Sequence, residues 1–274
     1  MNSVDIVSDL HIEHWNPKIK YNKKSNDDYV VDAPFKNQKN PESEILIVAG
    51  DVADDIDDSI KYLNELSKDY KYVLFVDGNH EHYSNYPKLV SDNDIDAKFK
   101  ANNNKKLIYL TKNLFLYNGN LFVGCNGWWD FNESQFFMKK SVKKYSDYFG
   151  LSTDDTRNLV KAIYKTGHEQ IKKLEEIIKK YEKDPSVKSI NIVTHSVPLK
   201  KYTSYNYPNE MNTHYSKLFK YKKIKHWIFG HTHSTFHDFD YSDESNIKYI
   251  CNPRGRPNWG MKVNYKPFSL FFKN

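Results

Sequence analysis

The sequence contains little cysteine, and it lacks any hydrophobic run long enough to cross a membrane. Its two cysteines, Cys125 and Cys251, lie far apart in the chain, which excludes a disulfide framework and favours a reducing compartment. No stretch of ~18 consecutive apolar residues occurs, so we expect no transmembrane helix and no membrane partner. Asp5 and Asp9 interrupt the first apolar stretch, which is not typical of a signal peptide. We therefore expect a soluble, cytoplasmic protein.

Arginine is also rare. Only three of the 41 basic residues are arginine, and the excess of basic over acidic side chains gives a net charge of +6. A positive chain suits an anionic partner such as a phosphate or a nucleic acid. Charged residues make up 28% of the chain and the hydrophobic set 39%, so the composition is that of a folded chain rather than a disordered one.

Short apolar runs recur along the chain, and each one ends in polar residues. Such runs predict buried strands, here five residues long at 4–8, 45–49, 72–76, 121–125 and 190–194 and three residues long at 227–229. Helical periodicity at 59–70 and 156–181 adds helices between the strands, which indicates the α/β class. Further strands at 114–117, 247–251 and 268–272 have hairpin-like spacing, so we expect a mixed or doubled sheet.

Three polar stretches do not follow this pattern. We predict long loops at residues 15–44, 128–155 and 200–221, of the kind that often form lids or binding surfaces. The chain shows no internal repeat and no linker, which favours a single domain over residues 1–274.

Histidine and acidic residues concentrate directly after the predicted strands. Five of the 11 histidines stand there, within or beside Asp-x-His, Gly-Asp, Gly-Asn-His-Glu and Gly-His-Thr-His segments. Loops that follow the strands of an α/β sheet converge on one edge. Imidazole together with carboxylate and amide oxygen suits Mn, Fe, Zn, Ni or Co. Seven such ligands exceed one tetrahedral site and fit two ions that share a carboxylate; they are Asp9, His11, Asp51, Asn79, His195, His231 and His233.

At these residues the sequence resembles the calcineurin-like metallophosphoesterase superfamily. All five signature segments of that superfamily occur in order between Asp9 and His233. The resemblance implies a four-layer αββα sandwich, with two packed mixed sheets flanked by helices. It also implies two divalent transition-metal ions, with Mn²⁺ favoured and Fe, Zn, Ni or Co as alternatives, and a bridging hydroxide that attacks phosphorus in line.

The resemblance assigns roles to individual residues. Asp9, His11 and His233 would hold the first metal ion, Asp51 would bridge both ions, and the second ion would be completed by Asn79, His195 and His231. His80 would act as a general acid or an electrostatic clamp. Asp54 and Glu81 would orient His80 or a ligand, although Asp54 is equally suited to be a helix N-cap.

Substrate contacts are predicted from two groups of residues. Arg254 and Arg256 follow the predicted strand 247–251, and a planar guanidinium is well suited to bind a phosphate. Tyr83 and Trp128, with Trp129 beside it, follow other strands and offer stacking surfaces for a planar group.

Several phosphoesterase activities remain open at this point. We favour hydrolysis of a small or nucleotide phosphoester, either a diester or a monoester. A protein phosphatase is disfavoured because Ile56-Asp57 replaces the Arg-Gly of those enzymes. A DNA or RNA nuclease is the alternative, less favoured because the lysines are spread among acidic residues. A metal-binding scaffold without catalysis is a third reading, disfavoured by the intact ligand set.

Six histidines lie outside the signature positions, and only His14 and His82 among them adjoin motifs, which leaves a role in this chemistry open for those two. They are predicted to be surface or core residues: His14, His82, His168, His214, His226 and His237.

Overall fold

Two β-sheets form the centre of the protein. The computed structural model describes residues 3–15, 38–203, 209–239, 246–257 and 265–272. The strands are β1 Ser3–Val7, β2 Ser43–Ala49, β3 Tyr72–Val76, β4 Leu107–Tyr109, β5 Phe115–Tyr117, β6 Asn120–Cys125, β7 Ser189–Thr194, β8 Ile224–Phe229, β9 Phe236–Phe239, β10 Lys248–Cys251 and β11 Phe268–Phe271.

Both sheets are mixed. The first has the strand order β11-β1-β2-β3-β4 and the second the order β5-β6-β7-β8-β10-β9. Strand β11 runs antiparallel to β1, β5 to β6 and β9 to β10, while the other neighbouring strands are parallel.

The described residues form five α-helices beside the sheets. They are α1 Ile12–Trp15, α2 Ile56–Leu66, α3 Asp92–Ala101, α4 Gln135–Phe149 and α5 Thr153–Tyr181. The same part of the chain forms four 3₁₀ helices, at His80–Asn85, Phe131–Glu133, Lys200–Tyr202 and Thr213–Leu218. None of the helices in the described part of the chain combines the length and the apolarity needed to cross a bilayer.

Alternation along the strands produces the layers. On β2, Ile45 and Ile47 face a core shared by the two sheets, whereas Leu46 and Val48 face the helices on the outer side. On β8, Ile228 lies in the shared core, and its neighbours pack toward α5. Successive strand residues point to opposite faces, so each sheet is buried on both sides. The expected architecture of two packed mixed sheets flanked by helices is confirmed.

One predicted loop is wrong. Residues 128–155 contain a 3₁₀ helix and the 15-residue helix α4. Phe137, Met138, Val142, Tyr145 and Phe149 of α4 pack against α5 and neighbouring aromatic side chains, and their spacing follows the helical period. This helix forms a wall of the site described below.

The other two predicted loops are only partly described. Within 200–221 the structure contains the two short 3₁₀ helices at 200–202 and 213–218, and residues 204–208 lie outside the described residues. Of the predicted loop 15–44, residues 16–37 lie outside the described residues.

Candidate metal centre and active site

The predicted ligands meet at one edge of the two packed sheets. Each follows the carboxyl end of a strand, which is where an open α/β sheet presents its functional loops. By strand, they are Asp9 and His11 after β1, Asp51 after β2, Asn79 after β3, His195 after β7, and His231 and His233 after β8.

Four of these residues form a first group. His11 Nε2 lies 3.0 Å from His233 Nε2, and Asp9 Oδ1 lies 3.4 Å from His233 Nε2. Asp51 Oδ2 lies 3.9 Å from His11 Nε2. One potential ligand atom from each of the four falls within 4.8 Å of the others, which is close enough for a single ion to reach all of them.

A second group lies on the other side of Asp51. Asn79 Oδ1 is 3.1 Å from His195 Nε2 and 3.0 Å from His231 Nδ1. Asp51 Oδ2 is 3.3 Å from His195 Nε2. The same carboxylate oxygen therefore lies near both groups, as expected for a ligand that two ions share.

Unusual backbone geometry positions these side chains. Five ligand candidates have positive φ, a region that side-chain-bearing residues rarely adopt and that clusters at functional sites: Asp9 51°, His11 44°, Asp51 56°, His231 69° and His233 55°. Glycine is required beside them. A Cβ on Gly78 would lie 2.1 Å from Asp51 Oδ1, and one on Gly50 would lie 2.5 Å from His195 Nδ1.

The residues present fit divalent metal ions. Asp9 Oδ2 is buried and has no hydrogen-bond partner among the described residues, and a buried oxygen in that state is costly unless a ligand satisfies it. The ring nitrogens of His11 and His233 face each other. Mixed imidazole, carboxylate and amide donors suit transition metals better than Mg²⁺ or Ca²⁺.

Electrostatics keep the shared carboxylate ionised. Burial alone would raise the pKa of Asp51, but the adjacent imidazoles of His195 and His80 outweigh it and hold that pKa well below its usual range. Burial would lower the pKa of His195, and Asp51 opposes this and raises it to about 10. Without metal, Asp51 is thus balanced by a proton on a neighbouring imidazole, and an ion binding here would displace that proton.

His80 lies between a carboxylate and a guanidinium. Its Nδ1 is 2.5 Å from Asp54 Oδ1, and Arg256 Nη2 donates to its Nε2 at 3.0 Å. Asp55, not Asp54, caps α2 by accepting from the Asp57 backbone N–H. Of the two readings of Asp54, the geometry therefore matches the one in which it orients His80.

Glu81 acts on the backbone rather than on an imidazole. Its carboxylate accepts from the N–H of Gly78 at 2.6 Å, Asp51 at 3.1 Å and Val52 at 2.7 Å. It also accepts from the Ser59 hydroxyl at 2.9 Å. These bonds join the loops after β2 and β3 and fix the position of Asp51.

A cavity of about 520 Å³ opens beside the ligands. Among its lining residues are Asp51, Asn79, His80, His231, His233 and Arg256, so the ligand groups form its polar end. Aromatic side chains form much of the remaining wall: Tyr83, Tyr86, Trp129, Tyr145, Tyr148 and Phe149.

The predicted substrate contacts divide into two that line the cavity and two that do not. Tyr83 and Arg256 line it, and the Tyr83 ring lies 4.1 Å from that of His80. Trp128 is buried against His82, and its neighbour Trp129 lines the cavity with its ring 5.2 Å from that of His231. The guanidinium of Arg254 is buried over the Trp15 ring, 4.0 Å from its centre.

Sequence reasoning missed Glu210. Its Oε2 accepts from His231 Nε2 at 3.0 Å, and its Oε1 lies 3.2 Å from the Lys144 ammonium. Although burial acts in the opposite direction, the hydrogen bond with His231 lowers the pKa of Glu210. This carboxylate fixes the His231 ring so that Nδ1 faces Asn79. No motif marks it, because it stands in a polar segment that follows no strand.

Comparison with known proteins gives the family. The profile described as calcineurin-like phosphoesterase matches residues 3–235, a span that holds all seven ligand candidates and His80. The chain belongs to the calcineurin-like phosphoesterase family. Membership implies phosphoester hydrolysis and divalent metal ions, which agrees with the His/Asp cluster at the strand ends.

Individual relatives of this phosphoesterase share little sequence identity with it. An uncharacterized protein of Acanthamoeba polyphaga mimivirus is 27% identical over 260 residues, which cover 86% of each chain. A phosphopantetheinyl hydrolase from Mycobacterium tuberculosis superposes with a TM-score of 0.68 at 16% identity, covering 97% of this chain and 95% of the other. A dimetal phosphatase from Danio rerio gives 0.50 at 15% identity, covering 91% and 86%. The two structural similarities establish the shared fold.

Proposed function

We propose that this phosphoesterase hydrolyses small phosphoesters, nucleotides among them, with two divalent metal ions that share Asp51. The observation that carries the proposal is the position of Asp51 Oδ2, which is 3.9 Å from His11 Nε2 in one ligand group and 3.3 Å from His195 Nε2 in the other. A pair of ions bridged by a carboxylate is suited to clamp the oxygens of a phosphoryl group during in-line displacement.

Six further residues would complete the two metal sites. Asp9, His11 and His233 would hold one ion, and Asn79, His195 and His231 the other. When bound, the ions supply positive charge to the phosphoryl oxygens and make a water molecule nucleophilic at neutral pH. Mn²⁺ is our first choice of metal, with Fe, Zn, Ni and Co as alternatives that the same ligands accept.

His80, Asp54 and Arg256 would handle charge at the phosphate. The Arg256 guanidinium can only donate, so His80 Nε2 is its acceptor and the ring proton lies on Nδ1 toward Asp54. A substrate phosphate is a stronger partner for Arg256 than a neutral imidazole. Once Arg256 turns to the phosphate, Nε2 can take a proton from solvent, and Asp54 would stabilise the resulting imidazolium, which would pass that proton from Nε2 to the leaving oxygen.

The size and lining of the cavity support a small substrate with a planar group. A volume of about 520 Å³ is typical of small-molecule sites, and aromatic walls favour stacking with a base or a similar ring. A nuclease is the alternative, and it would require long nucleic acid to reach the same ions. Two buried cysteine thiols, Cys125 and Cys251, are consistent with our proposed cytoplasmic location.

The test is a substrate panel with Mn²⁺ and Ni²⁺. It contains p-nitrophenyl phosphate, bis-p-nitrophenyl phosphate, mononucleotides, cyclic nucleotides, dinucleotides, and plasmid and single-stranded DNA and RNA. We expect turnover of one or more small esters and its loss in Asp51→Asn, while Asp58→Asn, a partly exposed carboxylate on α2, serves as the matched control. Degradation of DNA or RNA without small-ester turnover would favour the nuclease, and bound metal without any turnover would favour the scaffold.

A further inference from the structure

A second histidine–carboxylate cluster lies away from the strand ends. Glu133 Oε1 is 2.8 Å from His168 Nε2 and 2.6 Å from His214 Nε2. The two imidazole rings lie 4.5 Å apart at 66°. One potential ligand atom from each residue falls within 4.8 Å of the others, and none of the three lines the cavity beside the strand-end ligands. We call Glu133, His168 and His214 the Glu133 cluster.

Both ring nitrogens of His168 face hydrogen-bond acceptors, which favours a cation at Nε2. The Nδ1 of this ring faces the backbone carbonyl of Tyr164 at 2.9 Å, and a carbonyl only accepts, so Nδ1 carries the hydrogen. The Nε2 of the same ring faces the Glu133 carboxylate, which is also an acceptor. A neutral imidazole has only one N–H to offer these two acceptors. Either a second proton or a metal ion at Nε2 would satisfy the carboxylate as well.

Hydrogen bonds orient the Glu133 carboxylate and favour its ionised form. Tyr164 donates its hydroxyl to Oε2 at 2.6 Å, which leaves Oε1 for the two imidazoles. Although burial acts in the opposite direction, the hydrogen bonds from Tyr164, His214 and His168 lower the pKa of Glu133 to about 2. The carboxylate is therefore ionised at neutral pH. A second contact that orients each ligand is typical of protein metal sites.

One neighbour opposes a metal ion. The Lys217 ammonium donates to His214 Nδ1 at 2.6 Å, which places the His214 hydrogen on Nε2, where a metal would bind. Lys217 is exposed, so it can turn away as an ion enters and Nδ1 takes up the hydrogen. Tetrahedral zinc ligands stand about 3.3 Å apart at bond lengths of ~2.0–2.1 Å, so the ligand atoms must separate by about half an ångström.

We propose that Glu133, His168 and His214 form a separate site for one divalent transition-metal ion of the zinc class, bound through Glu133 Oε1 and the two Nε2 atoms. Two imidazoles and one carboxylate are a ligand set that zinc commonly takes, with water in the remaining position. Partial exposure of all three side chains gives an ion access from solvent.

The site joins three segments that support the wall of the cavity. Glu133 ends the 3₁₀ helix 131–133, His168 lies on α5, and His214 lies in the 3₁₀ helix 213–218. The segments before the two 3₁₀ helices carry Trp129 and Glu210, both of which contact His231. An ion at the Glu133 cluster would fasten these segments together, so its expected role is to stabilise the wall rather than to contact substrate.

Metal content tests the proposal directly. After equilibration with Zn²⁺ and removal of loose ions, wild type should hold one more zinc per chain than His168→Gln or Glu133→Gln. Lys217→Gln is the matched control, because it removes the competing ammonium from the same cluster, and it should retain the extra ion with several-fold tighter binding. The zinc-dependent rise in melting temperature should be larger in wild type and Lys217→Gln than in the two ligand variants, in which only the strand-end ligands remain to bind zinc.

Two design features keep the result interpretable. The measured quantity is a difference of one ion, so it does not depend on how many ions the strand-end ligands hold or on phosphoester turnover. Glu133→Gln is a second ligand variant in case His168→Gln does not fold. Equal zinc content in wild type and a folded ligand variant would overturn the proposal.

Discussion

Among the residues that the structure describes, the strand-end cluster and the Glu133 cluster both combine histidine with carboxylate side chains, and they are held in different ways. The strand-end ligands project from turns that follow β-strands, with positive φ at Asp9, His11 and Asp51. The Glu133 cluster draws on a helix and two 3₁₀ helices, and its members are partly exposed. Positive φ occurs at five of the seven strand-end ligands, whereas in the second cluster only Glu133 has it, at 55°. Hydrogen bonds hold the two imidazoles of the second cluster in place.

This difference matters for what each cluster can do. The cost of a strained backbone is met only where the surrounding structure over-determines it, and a preorganised site can stabilise charge at the moment of reaction. Side chains on the surface reorganise at little cost, which suits an ion that stabilises rather than catalyses. The predictions below separate the clusters by changing one and leaving the other intact.

The largest effect is expected from Gly50→Ala. The added Cβ would lie 2.5 Å from His195 Nδ1, so the ligand must move, and loss of several kcal/mol of charge stabilisation corresponds to on the order of 10⁴-fold in kcat/KM. Gly150→Ala is the matched control, because Gly150 also has positive φ but has no neighbour within 4 Å of the added carbon. Steady-state kinetics should show near-normal turnover for the control.

The zinc content of the Glu133 cluster sharpens this comparison. It should be unchanged in Gly50→Ala, because none of its three residues contacts the altered turn. Similar kinetics for the two glycine variants would contradict the account of the strand-end backbone.

A smaller effect is expected from His80→Ala. General acid catalysis contributes about 10²- to 10⁴-fold, so kcat should fall within that range while the number of bound ions is unchanged. Asp54→Asn should cause a smaller fall and shift the pH dependence of kcat, since it removes the charge that faces His80 Nδ1. Loss of bound metal in His80→Ala would instead make His80 a ligand.

Next comes Tyr148→Ala, which probes the aromatic wall. Stacking on an aromatic side chain is worth about 1–3 kcal/mol, so KM for a nucleotide substrate should rise ~5- to 150-fold, with little change for a phosphoester that carries no planar group. Phe136→Ala is the matched control on the same helix, because Phe136 is 69% exposed and Tyr148 65%, and only Tyr148 lines the cavity. Equal KM changes in both variants would contradict a stacking role.

The smallest effect is expected far from both clusters, at His226 on β8. Burial, with Lys248 and Lys225, lowers the pKa of His226 from 6.5 to about 4. As the pH falls, His226 is protonated in the unfolded chain before it is protonated in the folded protein. The free energy of unfolding therefore decreases as the pH falls from 6.5 toward 4. The full shift corresponds to at most about 3 kcal/mol, and partial exposure of the ring reduces it.

Chemical denaturation between pH 7 and 4 measures this effect. His226→Gln, which retains a donor toward Asn191 Oδ1, should lose less stability than wild type over that range. An equal loss in both proteins would show that His226 does not contribute.

Much of the strand-end arrangement could be predicted from the sequence. The ligands stand directly after buried apolar runs, and parallel strands bring such positions to one edge. What the sequence could not predict is the left-handed backbone at His231 and His233, because positive φ in residues other than glycine results from tertiary packing. The sequence also could not show which of Trp128 and Trp129 lines the cavity, because that too results from tertiary packing.

The wall of the cavity was missed for a different reason. Helix α4 has aromatic side chains among many lysines, a composition that suggests a loop, yet the spacing of Phe137, Val142 and Tyr145 carries a helical period. His168 and His214 lie on no motif, so the sequence gives no signal for a joint role. They are 46 residues apart in sequence, and Glu133 precedes His168 by 35 residues, so only the packing of α5 against the two 3₁₀ helices brings the three together.

The central claim is that two ions share the carboxylate of Asp51. X-ray absorption at the metal edge of the Mn²⁺-loaded protein tests it most directly, in the His168→Gln variant so that the Glu133 cluster adds no signal. We predict two ions per chain and a metal–metal distance of ~3.5–4 Å, which Asp51→Asn abolishes. A single ion per chain, or two ions without a metal–metal distance in that range, would contradict the account.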